Sequence, residues 1–192
     1  WTLSVSLLAL LVALLLGSIM GILRTAPHRG WVLLGNAWTE LFRNIPLLVQ
    51  IFLWYHVVPA LIPPLRGVPS FLLVVLGLGL FTSARISEQV RAGIQSLTGG
   101  QRMAGLAMGF TLPQTYRYVL LPMAFRIVIP PLTSETMNLI KNSSIALTIG
   151  LMELTFRSRE IGEYTFNFFE AFSAATLIYV AIAMTANRVM AL

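Results

Sequence analysis

Long apolar runs separated by short polar ones organise this chain. Leu3 to Leu23 is almost wholly apolar. About 20 such residues, at ~1.5 Å each in a helix, cross a hydrocarbon core of ~30 Å. The pattern predicts a first membrane span there, with Gly17 and Gly21 forming a small-xxx-small pair suited to close helix contact. Arg24 to Gly30 (RTAPHRG) ends it in positive charge. Trp31 to Asn44 alternates aromatic, aliphatic and polar positions and reads as an interfacial stretch. It leads into a second span from about Pro46 to Val58. Pro59, Pro63, Pro64 and Pro69 predict a stiff, non-helical connection, and a third span follows from about Phe71 to Ala92. Arg126 to Pro131 leads into a fourth span, Leu132 to Leu151, interrupted near its middle by Lys141-Asn142-Ser143-Ser144. Glu153 to Glu170 reads as a polar loop, and Ala171 to Val189 as the last span.

Between the third and fourth spans lies a stretch of different character, Gln101 to Ala124 (QRMAGLAMGFTLPQTYRYVLLPMA). Met103 to Met108 suits a short helix, Gly109 suits the position just past a helix end, and Leu112-Pro113 restricts the backbone before the next element. Two readings fit: a loop helix resting on the bilayer surface, or a helix that docks into a partner in the aqueous phase.

Composition agrees with the pattern. The chain is 57% hydrophobic and 10% charged, with a mean hydropathy of +0.81, whereas soluble domains carry about a quarter charged residues. The fold class is therefore an all-α integral membrane protein, a single domain over residues 1–192 with about five transmembrane helices. The net charge of +6 is spread too thinly for a nucleic-acid surface. It fits arginines at the cytoplasmic lipid face. Arg24, Arg29, Arg43, Arg91, Arg102 and Arg117 fall on one side, and Arg66, Arg157 and Arg159 on the other. This places the amino end outside and the carboxyl end in the cytoplasm. The first run is too long for a signal peptide. Both ends fall within apolar runs, so truncation is expected at each. No internal repeat is visible, against a transporter built from inverted halves. With no cysteine and no aspartate, no metal site is expected, and His28 and His56 read as interfacial anchors. Trp31, Trp38, Trp54 and Tyr55 read as belt aromatics, and Phe166, Phe168, Phe169 and Phe172 as lipid- or partner-facing.

Charge at bilayer depth costs about 2.5–3.5 kcal/mol on insertion scales, so it marks candidate chemistry. Arg85 and Glu88 fall in the third span and Lys141 near the middle of the fourth. Thr82, Arg85 and Gln89 share a helix face with Glu88 one turn away, and Gln50 adds a polar group to the second span. In one reading Glu88 neutralises Arg85 or Lys141. In the other, Arg85 contacts a substrate carboxylate through its forked donors, and Asn142, Ser143 and Ser144 line a passage where the helix opens. Glu153, Glu160, Glu163 and Glu170, with Arg157 and Arg159, form either a receiving surface for a soluble protein or a solvated loop. There is no GxxxxGK[ST] phosphate loop and no nucleophile–base arrangement, so the chain is not expected to be an enzyme.

The polar stretch resembles the cytoplasmic coupling motif of ABC importer permeases: EAA, three residues, G, about nine residues, I or L, then LP. Ala104 holds the first alanine place, Gly109 the glycine, and Leu120, Leu121 and Pro122 the closing triplet. Met103 stands in the glutamate place and Gly105 in that of the second alanine. Glu88 to Leu97, Asn138 to Ser144 and Glu40 to Gln50 resemble the polar amino acid branch, and within it the glutamate/aspartate permeases. The resemblance covers nearly the whole chain. It implies a type I permease fold with a coupling region at about 99–124. Gln101, Arg102, Met103, Ala104, Gly105, Leu106, Ala107, Met108 and Gly109 would contact an ATPase. It further implies a second permease, identical or related, two ATP-binding subunits carrying ATP and Mg, and a periplasmic binding protein. The membrane would be the bacterial inner membrane. The implied activity is ATP-driven import of acidic amino acids. Two alternatives stand beside it: a permease for glutamine or another polar amino acid, and a channel or scaffold that binds a soluble regulator.

Overall fold

The computed structural model describes residues 1–97 and 99–190. The expected truncation at Leu192 lies outside the described residues. Among these, the chain is helical throughout, with no strand.

The centre is a pair of helices, α1 (Thr2–Leu23) and α5 (Ser70–Gln95). On α1, the buried residues Val5, Ala9, Ala13, Gly17 and Gly21 recur every four positions and form one small-residue face. A Cβ on Gly17 would lie 2.7 Å from Ile86 Cβ and from Ser83 O, and one on Gly21 would lie 2.7 Å from Val90 Cβ. Gly79 meets Val12 in the same way. Contacts at 12 and 79, 17 and 86, 21 and 90 rise together, so the two helices run parallel. The small-xxx-small pair thus does the work its spacing predicts.

The stretch expected at the interface is a packed helix, α2 (Arg29–Asn44), started by His28, whose Nδ1 accepts from the Gly30 amide. Gly35 and Thr39 form its buried face. Gly35 lets α2 lie against the end of α1, where a Cβ would meet Met20 O and the Arg24 side chain. Thr39 lets it lie against α5, where Thr39 Oγ1 sits 3.0 Å from Ser87 Oγ and Trp38 Nε1 donates to Ser83 Oγ. Trp38 is therefore a bundle residue, not a belt aromatic. After Pro46 the chain turns into α3 (Leu47–Phe52), which passes through a π turn (Leu53–Val57) into α4 (Val58–Leu61), at 100° to α2. The proline-rich connection is in part helical, against expectation: Pro59 lies in α4 and Pro63 and Pro64 in a 3-10 turn (Pro63–Leu65), because proline suits the first positions of a helix. Arg66 donates from Nε to Pro59 O and from Nη2 to Ala60 O.

A second π turn (Tyr116–Leu120) precedes α8 (Leu121–Asn142). Both π turns stand just before a proline at the second helical position, Pro59 and Pro122. Proline has no N–H for the carbonyl four residues back, and its ring crowds that carbonyl. A widened turn absorbs both effects. Helix α8 starts well before the expected Leu132 and carries Pro130 and Pro131 in its interior. It runs antiparallel to α5, with Gly93 against Val128 and Arg85 against Glu135. The predicted interruption is real: after Asn142 the α-helix tightens into a 3-10 segment (Ser143–Ile149) that ends at Gly150 with φ +78°.

The glutamate-rich loop is instead a helix, α9 (Leu154–Thr165), followed by α10 (Phe168–Met190). Glu153 starts α9 by accepting from the Thr155 and Phe156 amides, and it is 1% exposed. Its burial is what a reading of the loop as solvated missed. Helices α1, α5 and α10 are each long and apolar enough to cross a membrane, and α2 with α3–α4 makes a broken fourth. Helix α8, which carries the charges, completes the bundle beside α5. One apolar cluster joins Val5, Ala9, Ile51, Val74, Leu78, Leu139 and Ala146, and a second joins Ala13, Ile86, Val90, Ala124 and Val128.

Candidate functional site

Three groups of polar residues stand out in the bundle. The first is on the exposed edge of α5. Buried residues crowd that helix, yet the Arg85 side chain is 44% exposed. It begins about 22 Å from the start of α5 at ~1.5 Å per residue. A guanidinium at that depth cannot face lipid cheaply, so its open side faces a cavity or another chain. Its Nε donates to Glu135 Oε2 at 2.8 Å. Neither expected partner of Glu88 is present: Arg85 pairs with Glu135, and Lys141 is not near it. Thr82, on the same α5 face, is 2% exposed and lies inside the bundle. Gln89 is partly buried, with an Oε1 that has no partner among the described residues.

The second group is the Glu88 cluster. Arg24 Nη2 reaches Glu88 Oε1 at 2.9 Å and Arg43 Nη1 reaches the same oxygen at 3.2 Å. Arg24 also donates to Asn36 Oδ1 and Ser87 Oγ, and Arg43 to Glu40. Arg24 is buried, so this cluster ties the ends of α1, α2 and α5 together. The packing of α2 on α5 brings Arg43 here, and no spacing rule in sequence foresees that.

The third group surrounds the α8 break. Lys141 sits in the last turn of α8, about 30 Å along it at ~1.5 Å per residue. The expected fourth span is therefore entered late in this helix, because the helix began earlier than expected. Lys141 and Ser144 line a cavity of about 440 Å³ with Thr155, Phe172, Thr176 and Tyr179. Ser144 Oγ is bonded to Lys141 O. Ser143 is fully buried and bonds Ile140 O, and Asn142 is half-buried beside them. Of the residues expected along a passage, Ser143 and Gln50 have structural duties instead. Gln50 is 2% exposed and donates from Nε2 to Phe42 O and Ile45 O, which latches the α2–α3 bend.

Sequence reasoning missed Glu135. It is the one acidic side chain between Glu88 and Glu153 and falls in a run expected in lipid. An unpartnered arginine in the third span and a lone carboxylate in the fourth were the available signal.

At the end of the bundle near Arg24, the coupling stretch forms α6 (Gly99–Ala107). Gly109 follows with φ +83°, and the Phe110 amide reaches back to Gly105 O, a Schellman-type close that favours glycine. Met103 is 72% exposed, Met108 65% and Leu106 44%; Arg102, Ala104 and Ala107 are also exposed, and Gln101 is half-buried. Gly105 explains the missing second alanine: a Cβ there would lie 2.7 Å from Thr115 Cγ2. Thr111 and Gln114 form a capping box for α7 (Leu112–Thr115). Beyond it, Tyr116 OH donates to Thr25 O at 2.7 Å. The coupling stretch is thereby tied to α1 one residue from Arg24. These contacts attach the exposed face of α6 to the bundle.

Comparison with known proteins agrees with this geometry. The glutamate/aspartate import permease protein GltJ of Escherichia coli K12 is 51% identical over 191 residues, covering 94% of this chain and 78% of that protein. The probable glutamine ABC transporter permease protein GlnM of Bacillus subtilis is 35% identical over 94% of this chain and 82% of its own length. A crystal structure of an amino acid ABC transporter with histidines superposes with a TM-score of 0.85 at 29% identity, covering 99% of this chain and 87% of that one. Residues 6–192 match the profile described as binding-protein-dependent transport system inner membrane component. A chain with a bent span, a short glycine-closed helix and a charge-bearing α8, matched over nearly its full length, belongs to the family of inner membrane components of binding-protein-dependent transport systems.

Proposed function

We propose that this chain forms one half of the translocation pathway of an ATP-driven importer of acidic amino acids, glutamate or aspartate. The observation that carries the reading is Arg85: a half-open guanidinium on the central helix, placed where lipid cannot cover it. A planar fork of donors suits a side-chain carboxylate. The 51% identity to a protein named as a glutamate/aspartate import permease supports the same substrate class.

In this reading α6 docks on an ATP-binding subunit, and ATP and Mg reside on that partner, not on this chain. A second permease, identical or related, completes the pathway, with two ATP-binding subunits below and a periplasmic binding protein above. The end bearing Arg24, Tyr116 and α6 is cytoplasmic. The amino end and the buried Glu153 lie toward the outside, and the carboxyl end returns to the cytoplasm. Closure of the ATPase pair pushes on α6, and the Tyr116–Thr25 bond passes that motion to α1 and the Glu88 cluster. The bundle then has two arrangements, one biased by nucleotide and the other by substrate. Lys141 and Ser144, with Asn142 alongside, add polar groups to a second cavity whose wall is mostly apolar.

Glutamine is the second reading. Glu135 neutralises Arg85, and a neutral pair accepts an amide as readily as an acid. ATP hydrolysis by the reconstituted complex, with its binding protein and a panel of glutamate, aspartate, glutamine and arginine, separates the readings. Stimulation by the two acids alone is expected. Stimulation by glutamine alone overturns the acidic assignment. A polar passage that conducts with no ATPase attached would mark a channel or scaffold instead.

A further inference from the structure

Glu135 does more than neutralise Arg85. Its side chain is 9% exposed, and among the described residues its one hydrogen bond is to Arg85 Nε. Neither Nη nitrogen of Arg85 has a hydrogen-bond partner among the described residues, although the side chain is 44% exposed. A guanidinium offers five N–H donors along separate edges. Glu135 takes the Nε side through one oxygen, and the outward Nη edge stays open. An incoming carboxylate can reach that edge while Glu135 keeps its own contact.

Charge then sets the strength of that encounter. A lone arginine here would hold a carboxylate tightly, because opposite charges attract strongly where water is partly excluded. With Glu135 in place the pair is neutral, and an arriving acid adds a negative charge beside an existing one. The attraction falls, and the ligand can leave. A translocation site needs binding favourable enough to admit the ligand and weak enough to release it.

We infer that Glu135 is a resident counter-carboxylate, which holds Arg85 at a reduced affinity for acidic substrates so that they pass instead of lodging. The inference rests on the acidic-substrate reading above. It adds a specificity-determining residue that lies on α8, not on the helix that presents the arginine.

The test is equilibrium binding of radiolabelled glutamate to the detergent-solubilised complex of permease and ATP-binding subunits, without binding protein, paired with uptake rates in proteoliposomes. Glu135→Gln keeps the shape and removes the charge. It is expected to tighten glutamate binding about tenfold, on the scale of one charge pair at partial screening, and to slow uptake per ATP hydrolysed. Arg85→Gln is expected to abolish detectable binding. The exchanged pair Arg85→Glu with Glu135→Arg keeps an ion pair between the same helices, turns a carboxylate to the open side, and is expected to assemble but not bind glutamate. Unchanged or weaker binding in Glu135→Gln, or wild-type binding in the exchanged pair, makes the pair a structural tie only and overturns the inference. A poorly assembled Glu135→Gln leaves the exchanged pair to decide. If the wild-type complex takes up neither acid, the substrate reading itself fails, and that result is visible before any variant is made.

Discussion

Substituting alanine for Gly17 tests how closely α1 and α5 approach. The new Cβ would lie 2.7 Å from Ile86 Cβ and 2.7 Å from Ser83 O. Ordinary carbon contacts are ~3.5–4.0 Å, so the deficit is roughly 1 Å, and one of the two obstacles is backbone. No rotamer change clears Ser83 O, and the helices must separate. Overpacking of this kind costs about 1–3 kcal/mol. In a membrane the loss is not offset by hydrophobic association, because packing itself holds such helices together. For a chain of this length, roughly 2 kcal/mol corresponds to a fall of about 4–8 °C in the unfolding midpoint. The assay is size-exclusion recovery of the detergent-solubilised complex after a series of heat steps. Gly67→Ala is the control, since nothing lies within 4 Å of a Cβ there. Adding Ile86→Ala removes the Cγ2 contact at 2.8 Å but neither the Ile86 Cβ nor Ser83 O, so it should rescue only in part. A Gly17→Ala midpoint within a degree of Gly67→Ala, or complete rescue by Ile86→Ala, refutes the reasoning.

Three other perturbations follow from the contacts described. Arg24→Met leaves Glu88 with Arg43 alone and should cost about 1.5–3 kcal/mol, the worth of a hydrogen bond to a charged group; the same heat-step recovery reads it, and an unchanged midpoint would contradict the clasp. Glu153→Ala removes the carboxylate that caps α9 and accepts from Tyr179 OH, and should cost about 1–2 kcal/mol, read as faster amide hydrogen exchange in the first turn of α9 with α5 unaffected. Gly109→Ala forces a side chain to φ +83° at a cost of about 1–2 kcal/mol, and should loosen the end of α6 and lower substrate-stimulated ATP hydrolysis by the complex while leaving assembly intact.

Legibility in sequence followed the range of the interactions. Gly17 and Gly21 were readable because their spacing alone puts them on one face, and Gly109 because a left-handed residue past a short helix has a single preferred type. The break after Lys141 was readable from Asn142, Ser143 and Ser144, whose side chains compete for backbone bonds. What failed depended on a distant chain segment. Glu88 meets Arg24 and Arg43 only because α1 and α2 both pack against α5, and Gln50 spends its amide on the bend that follows α2. Trp38 has the composition of a belt residue, yet its indole nitrogen finds Ser83 inside the bundle. The loop assigned to residues 153–170 was polar enough to suggest solvent, but a cap needs a carboxylate whether or not water reaches it. Glu135 was overlooked since its partner lies fifty positions earlier in the chain.

The parallel pairing of α1 and α5 also dictates an order of events during synthesis. The small-residue face of α1 has no mate until the segment at 70–95 has been made, because the intervening helices cannot supply Ile86 or Val90. Arg24 is in the same position: of its three side-chain partners, Asn36 alone is nearby in sequence, and Ser87 and Glu88 arrive with α5. Until α5 is made, α1 must therefore keep that guanidinium at the water boundary, where a long side chain can stretch to reach solvent. It acts there as a stop that keeps the helix from sliding through. When the fifth helix enters, the same arginine is drawn inward and sealed by Glu88. One residue thus serves two successive duties, first fixing where the chain halts in the bilayer and later fastening the finished bundle.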